Sequence, residues 1–167
     1  GEARLAKVKD KRIGERDVNG KIIIGVSCNM SAVRDVDAAA SSFWCKLWLN
    51  ILYVDESVKT MDEKELSRRN GFLSFDDNDE FKPDKWVRPN PTLINSIDVQ
   101  RAEEVVRIED HSRGLVTWNT RFQGTFSCAA DVHDFPFDAQ LLKVSLAFKE
   151  IFAVVEHPLD ETSWCAR

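Results

Sequence analysis

Few side chains in this sequence have the types and the spacing that catalysis requires. The three histidines, His111, His133 and His157, stand far apart, no glycine-rich phosphate loop occurs, and no serine or cysteine lies in a nucleophile motif. An enzyme holds its nucleophile or base beside the groups that activate it. We therefore expect neither a catalytic site nor a bound cofactor.

Potential metal ligands are also poorly arranged, and we expect no metal site. The acidic run DDNDE at 76–80 could bind a hard cation such as calcium, but it lacks the glycine and the distal glutamate of an EF-hand, so a solvated loop is the better interpretation. The four cysteines show no Cys-x-x-Cys spacing. We expect Cys28 and Cys45 to face each other across a hairpin, as a disulfide or as two buried thiols, while Cys128 could pair with Cys165 or stay free.

The stretch FSCAADVHDFPFDAQ at 126–140 is unusual because it is apolar without being a good strand. Phe135 and Phe137 flank Pro136, and Asp138 follows. The proline argues against a central strand, and two phenylalanines are rare in a solvated loop. Either these residues, 135–138, form an exposed tip that packs against another molecule or domain, or the two rings are buried in the core of their own domain.

The overall composition predicts one globular domain over residues 1–167. The chain is 43% hydrophobic and 31% charged, and its net charge of −5 gives no support to nucleic-acid binding. The longest apolar candidate for a membrane span, at 43–54, is too short and contains Lys46 and Asn50. The amino terminus has no apolar segment of the signal-peptide type, so a signal peptide was either removed or never present.

Most segments of the chain carry strand signals. Phe43, Cys45, Leu47, Leu49, Ile51 and Tyr53 fall on one face of a strand, and in 115–127 the set that contains Val116, Trp118, Phe122 and Phe126 forms the core face, opposite Arg121. We predict a short helix at 3–12, a helical turn at 61–68, and strands at 21–29, 41–54, 99–108, 115–127, 141–148 and 151–155. The polar residues 31–40 are predicted to connect the first two strands. This pattern predicts an all-β fold, an immunoglobulin-like antiparallel β-sandwich with a short N-terminal helix.

Four motifs follow one another between residues 47 and 142. They read LWLNILYVDE at 47–56, WVRPNPTLIN at 86–95, GLVTWNTRFQGTFSC at 114–128 and CAADVHDFPFDAQLL at 128–142. Their order and spacing resemble the extracellular ligand-binding domain of pentameric ligand-gated ion channels, the Cys-loop receptors and their bacterial relatives. Two departures stand out: Asn90 replaces the usual acid, with one residue added between Trp86 and Pro89, and Leu142 stands where a second cysteine would close the signature loop.

The resemblance implies roles for particular residues. It places Tyr53 in an aromatic ligand box between subunits, Arg121 where a guanidinium grips a ligand carboxylate, and Phe148 close to an aromatic of a third box loop, although the motif Ser-Trp-x-Tyr is absent there. It makes Phe135, Pro136, Phe137 and Asp138 the loop that couples ligand binding to the channel. In each case the alternative is an ordinary core or surface residue, and Trp86 and Trp118 are expected in the core.

Three functions remain open at the level of sequence. The first is the ligand-binding domain of a pentameric channel-like protein on the extracellular or lumenal side of a membrane, which senses a small molecule at a subunit interface and couples to a pore. The second is a structural or accessory subunit of a larger membrane assembly that reuses the sandwich. The third is a soluble pentameric binding protein. The resemblance also implies that this chain stops before the last strands and the membrane region.

Overall fold

Strands dominate the computed structural model, which describes residues 12–74, 78–83, 85–86, 88–128 and 142–156. The eight strands are β1 (Ile22–Asp37), β2 (Ser42–Val54), β3 (Phe72–Leu73), β4 (Thr92–Leu93), β5 (Ser96–Asp110), β6 (Leu115–Ser127), β7 (Leu146–Ala147) and β8 (Phe152–Glu156). Between β2 and β3 lie a 3₁₀ turn (Glu56–Thr60) and one short helix, α1 (Glu63–Arg68). The all-β prediction is confirmed, and so is the helical turn that was placed at 61–68.

The strands form one large sheet and one small sheet. The order in the large sheet is β3-β5-β6-β2-β1-β8, and β4 pairs with β7 in the small sheet. All pairings are antiparallel except that of β1 with β8, which is parallel. At the centre, β2 and β6 pair without a register shift from Ser42 opposite Ser127 to Val54 opposite Leu115. Arg121 is therefore held on the most regular part of the molecule.

The alternation in β2 and β6 determines which face of the large sheet is buried. On β2, the side chains of Phe43, Cys45, Leu47, Leu49 and Ile51 are completely buried. The core-facing residues of β6, Val116, Trp118, Phe122 and Phe126, join them in two neighbouring apolar clusters. Removing these side chains from water is the main force that stabilises the sheet in this orientation.

A second layer covers this inner face. Leu93 of β4 and Leu146 of β7 pack against the cluster around Phe43, and Phe81 and Phe148 pack against the cluster around Trp118. This two-layer arrangement is consistent with the predicted β-sandwich. On the reverse side of the sheet, Ile13 joins Leu52 and Leu115 in a smaller apolar cluster.

The prediction that residues 31–40 form a loop is wrong. β1 continues to Asp37, with register shifts that mark irregular pairing between Met30 and Ala32 and between Arg34 and Asp37. Only residues 38–41 turn, and the Asp37 carboxylate accepts a hydrogen bond from the Ala40 amide at 2.9 Å. Backbone pairing to β2 thus outweighs the polar composition, which is a weak guide to strand ends.

The longer β1 strand also corrects the expected pairing of cysteines. Cys28 lies opposite Leu49, and Cys45 lies opposite Val33, so the two thiols do not face each other. Cys28, Cys45 and Cys128 are reduced cysteines, and burial raises the pKa of Cys45 to about 11. Cys165 lies outside the described residues.

Two other predictions differ in extent. Within the predicted strand at 141–148, the described residues 142–148 are in strand only at Leu146–Ala147, and the predicted strand at 99–108 runs from Ser96 to Asp110. The two-residue strands β3 and β4 were not predicted. The predicted helix at 3–12 lies outside the described residues except for Arg12.

A candidate ligand site on the outer face of the large sheet

Arg121 projects from the centre of the sheet on the face opposite the buried clusters. Trp48 of β2 lies directly across from it on one side, and Glu103 of β5 lies across on the other. These three side chains form a row perpendicular to the strands, because directly opposite residues in antiparallel strands share a face. The prediction that Arg121 stands on the polar side of its strand is confirmed.

The guanidinium of Arg121 makes two contacts within this row. Its Nη2 atom lies 2.9 Å from Oε1 of Glu103, and its Cζ atom lies 5.5 Å from the centre of the Trp48 ring. Its Nε atom is buried and has no hydrogen-bond partner among the described residues. The Arg121 side chain is 23% exposed and the Glu103 side chain 50% exposed. The row therefore presents a guanidinium that an acidic group can reach by replacing the more exposed carboxylate.

Trp48 is the residue of this site that the sequence-based reasoning missed. It lies on the outer face of β2, where Trp44 also stands, and the Arg34 guanidinium is 3.9 Å from the centre of the Trp44 ring. A large aromatic residue on the polar face of an alternating strand is the signal that could have identified it, because such positions usually carry small or charged side chains.

Tyr53 lies on the other side of the sheet, in the cluster that contains Trp118. Only 2% of Tyr53 is exposed, and burial raises the pKa of its hydroxyl well above the ordinary value. The nearby Trp86 side chain lowers the same pKa to a smaller extent. Among the described residues, however, the Tyr53 hydroxyl has no hydrogen bond of good geometry. The ligand contact expected at Tyr53 stays a prediction, and it requires a ligand that reaches this interior.

Phe148 is partly buried against the same interior cluster as Tyr53. Within one chain the structure therefore brings Tyr53 and Phe148 to one side of the sheet and Arg121 to the other. The ligand contact expected at Phe148 also stays a prediction.

Trp118 is confirmed as a core residue, with 1% of its surface exposed, and Trp86 packs partly buried against the same cluster. Two arginines line the Trp118 ring: the Cζ atoms of Arg88 and Arg101 are 5.1 Å and 5.2 Å from its centre. Arg101 also donates a 2.7 Å hydrogen bond to Oδ1 of Asn90, the residue that replaces the acid of the related motif. The amide oxygen therefore still serves as an acceptor here.

The acidic run at 76–80 contributes to an ion pair. The Arg69 guanidinium lies 2.6 Å from the Asp79 carboxylate and 3.0 Å from that of Glu65, so it joins the loop to helix α1. The hydrogen bond from Arg69 is the main cause that lowers the pKa of Asp79. Among the residues that the structure describes, no group of histidine, cysteine, aspartate and glutamate side chains could hold a metal ion.

The predicted coupling tip, Phe135, Pro136, Phe137 and Asp138, lies outside the described residues, as do His133 and His157. Its role stays a prediction. In the described parts of the chain, no helix is both long and apolar enough to span a bilayer.

The fold is a β-sandwich of two sheets, with Arg121 and Trp48 on the outer face of the large sheet. A family model described as the neurotransmitter-gated ion-channel ligand binding domain matches residues 5–147. The chain therefore belongs to that family. A search of curated proteins finds no significant match.

Proposed function

We propose that this chain senses a small molecule at an interface between subunits of a pentamer, on the extracellular or lumenal side of a membrane, and that it passes the signal to a pore. Membership of the ligand-binding domain family supports this function, and the placement of Arg121 beside Trp48 is the observation that carries it. The proposal assigns the chain no catalysis. A ligand acts by favouring one arrangement of the subunits over another.

Arg121 would bind an acidic group of the ligand. A guanidinium binds carboxylates through two parallel hydrogen bonds, and Arg121 already faces a carboxylate, that of Glu103, at 2.9 Å. The flat Trp48 ring beside it offers apolar contact or attraction to a cationic part of the same ligand. In this proposal Glu103 competes with the ligand for Arg121.

The other predicted site residues take roles that depend on assembly or movement. Tyr53 and Phe148 would contact ligand only where the interior cluster opens toward a neighbouring subunit, since both pack within it. Phe135, Pro136, Phe137 and Asp138 would pass movement to the pore as the coupling loop.

The accessory-subunit function is the second candidate, and two observations favour it. Tyr53 is buried within its own chain, and Arg121 already has a carboxylate partner in Glu103. Both residues would then have structural roles only, and the family fold would serve as a scaffold in a larger assembly.

The experiment compares responses of the full-length protein in a membrane to amino acids and to the matching amines that lack the carboxylate. We expect responses to the carboxylates, about tenfold to hundredfold weaker apparent affinity in Arg121→Ala, and a few-fold stronger affinity in Glu103→Gln, because a competing anion is removed. Arg34→Ala is the matched control, since it removes an arginine stacked on Trp44 of the same face. Equal effects of Arg121→Ala and Arg34→Ala would reject the site, and an assembled protein that responds to no ligand would favour the accessory function.

A further inference from the structure

The side-chain amide of Asn95 uses both its N–H donors and its oxygen to bind segments that are far apart in the sequence. Its Nδ2 atom donates to the carbonyl oxygens of Ser127, at 2.9 Å, and Lys143, at 2.6 Å. Its Oδ1 atom accepts a hydrogen bond from the Ser145 amide at 2.8 Å. One short side chain therefore contacts both the end of β6 and the segment that precedes β7.

Backbone hydrogen bonds reinforce the same junction. The Asn95 carbonyl accepts from the Ser127 amide at 2.8 Å, and the Ile94 amide donates to the Ser145 carbonyl at 2.9 Å. On the far side of β6, the Cys128 amide donates to the carbonyl of Ser41 at 2.8 Å. The end of β6 is thus held by two different turns, and the turn that contains Ile94 and Asn95 also bonds to residues 143–145.

The two joined segments flank residues 129–141, which lie outside the described part of the chain. Cys128 and Leu142, the described residues at either end of that gap, both pack against the cluster of Phe43 and Phe126. These described contacts therefore constrain the distance between the two flanks. Among those contacts the Asn95 amide is the one that bonds to both flanks through a single side chain.

We propose that Asn95 is a positioning residue, a noncovalent clasp that fixes the spacing of the Cys128 and Leu142 flanks. Asparagine suits this position because it presents two N–H donors to the two carbonyls and one acceptor to an amide. An aspartate of the same shape would place oxygen atoms against both carbonyls, and an alanine would leave all three groups to water. The clasp rests on these contacts and does not depend on the proposed ligand site.

The test measures how often the two flanks meet. In Leu142→Cys, oxidised glutathione converts the thiols at 128 and 142 to a disulfide, and each bond formed reduces one oxidised glutathione to two thiols. The rate of closure reports the effective concentration of the two sulfur atoms, and peptide mapping identifies the bond among the other cysteines. We expect Asn95→Ala and Asn95→Asp in this background to close about fivefold to tenfold more slowly than the parent.

Ser96→Ala is the matched control. The Ser96 hydroxyl donates to the Leu93 carbonyl in the same turn at 2.9 Å and touches neither flank, so its removal should leave the rate unchanged. Equal closure rates in the parent and in folded Asn95→Asp would overturn the clasp. If Asn95→Ala does not fold when reduced, the disulfide at 128–142 should restore native circular dichroism, and failure of that rescue would also reject the proposal.

Discussion

Arg121 is more constrained than a typical arginine on a sheet surface. It lies between a carboxylate and an indole, and its buried Nε atom has no partner in the part of the chain that the structure describes. Holding a long side chain in one orientation costs conformational entropy. Because the fold already orders Arg121, an acidic ligand that binds it in the proposed site would lose less side-chain entropy. The Arg121 guanidinium is therefore held in one orientation, and the Glu103 carboxylate is its anionic partner in the structure.

The burial of the Tyr53 ring and hydroxyl can be tested by substitution. Its ring packs in the interior cluster, whereas its buried hydroxyl makes no hydrogen bond of good geometry to any described residue. We expect Tyr53→Phe to change the free energy of unfolding by less than about 1 kcal/mol and Tyr53→Ala to lower it by about 3 to 5 kcal/mol. Urea denaturation of both variants measures the two values. A loss above about 2 kcal/mol in Tyr53→Phe would mean that the hydroxyl has a strong partner.

Alternation along the strands predicted on which face of the sheet these residues lie. The period of two placed Tyr53 on one face with Phe43 and Ile51, and the structure confirms the shared face and shows that it is buried. The ligand-box role that the resemblance implies for Tyr53 stays a prediction. Trp48 lies on the opposite face by the same period, and its place beside Arg121 depends on the pairing of β2 with β6, which the alternation of one strand does not predict.

At the scale of elements, the β5–β6 turn is packed tightly against the start of the 3₁₀ turn. The Asp55 amide donates to the Gly114 carbonyl at 2.8 Å, and the Asp55 carboxylate accepts from the Ser57 amide at 3.0 Å. Gly114 has a φ of +68°, and a Cβ atom there would collide with the Asp55 carbonyl. Glycine is required at this position for two reasons, its backbone conformation and the close approach.

We expect Gly114→Ala to destabilise the fold by about 2 to 4 kcal/mol, because both reasons apply. Gly20→Ala is the control: Gly20 has a φ of +75°, but a Cβ atom there would meet nothing within 4 Å, so a loss of about 1 kcal/mol is expected. Thermal unfolding of both variants separates the cost of the contact with Asp55 from the cost of a positive φ at a residue other than glycine. Equal losses would show that the turn can move away from Asp55.

The predictability of the elements depended on their length. β2 and β6 were predicted nearly to the residue because thirteen-residue strands repeat the alternation many times. β3, β4 and β7 have two residues each and carry no periodic signal, so their pairing depends on neighbours distant in sequence. The outer half of β1 was missed because its pairing to β2, and not its composition, makes it a strand.

At the scale of the whole molecule, acid should loosen the connection between α1 and the loop at 78–83. Arg69 lowers the pKa of Asp79, so the ion pair contributes stability above the unfolded carboxyl pKa of about 4, and this contribution is lost as pH falls through the lower folded value. We expect the stability difference between the parent and Asp79→Asn to be constant above about pH 5 and to shrink below about pH 4.

Urea denaturation at several pH values measures this difference. Arg69→Met removes the partner and should reproduce both the loss at neutral pH and its disappearance in acid. If the stability difference between the parent and Asp79→Asn stays constant down to about pH 2, the Arg69–Asp79 pair does not contribute to acid sensitivity.

The uninterrupted pairing of β2 with β6 has a kinetic consequence. β1–β2 and β5–β6 are hairpins of consecutive strands, which can form locally, but β2 and β6 are separated by the whole of residues 55–114. Loop-closure entropy opposes that step until many of its contacts form together. The pairing of β2 with β6, which joins the two hairpins, should therefore limit the rate of folding. Substitutions in these two strands should slow refolding more than substitutions at the hairpin turns.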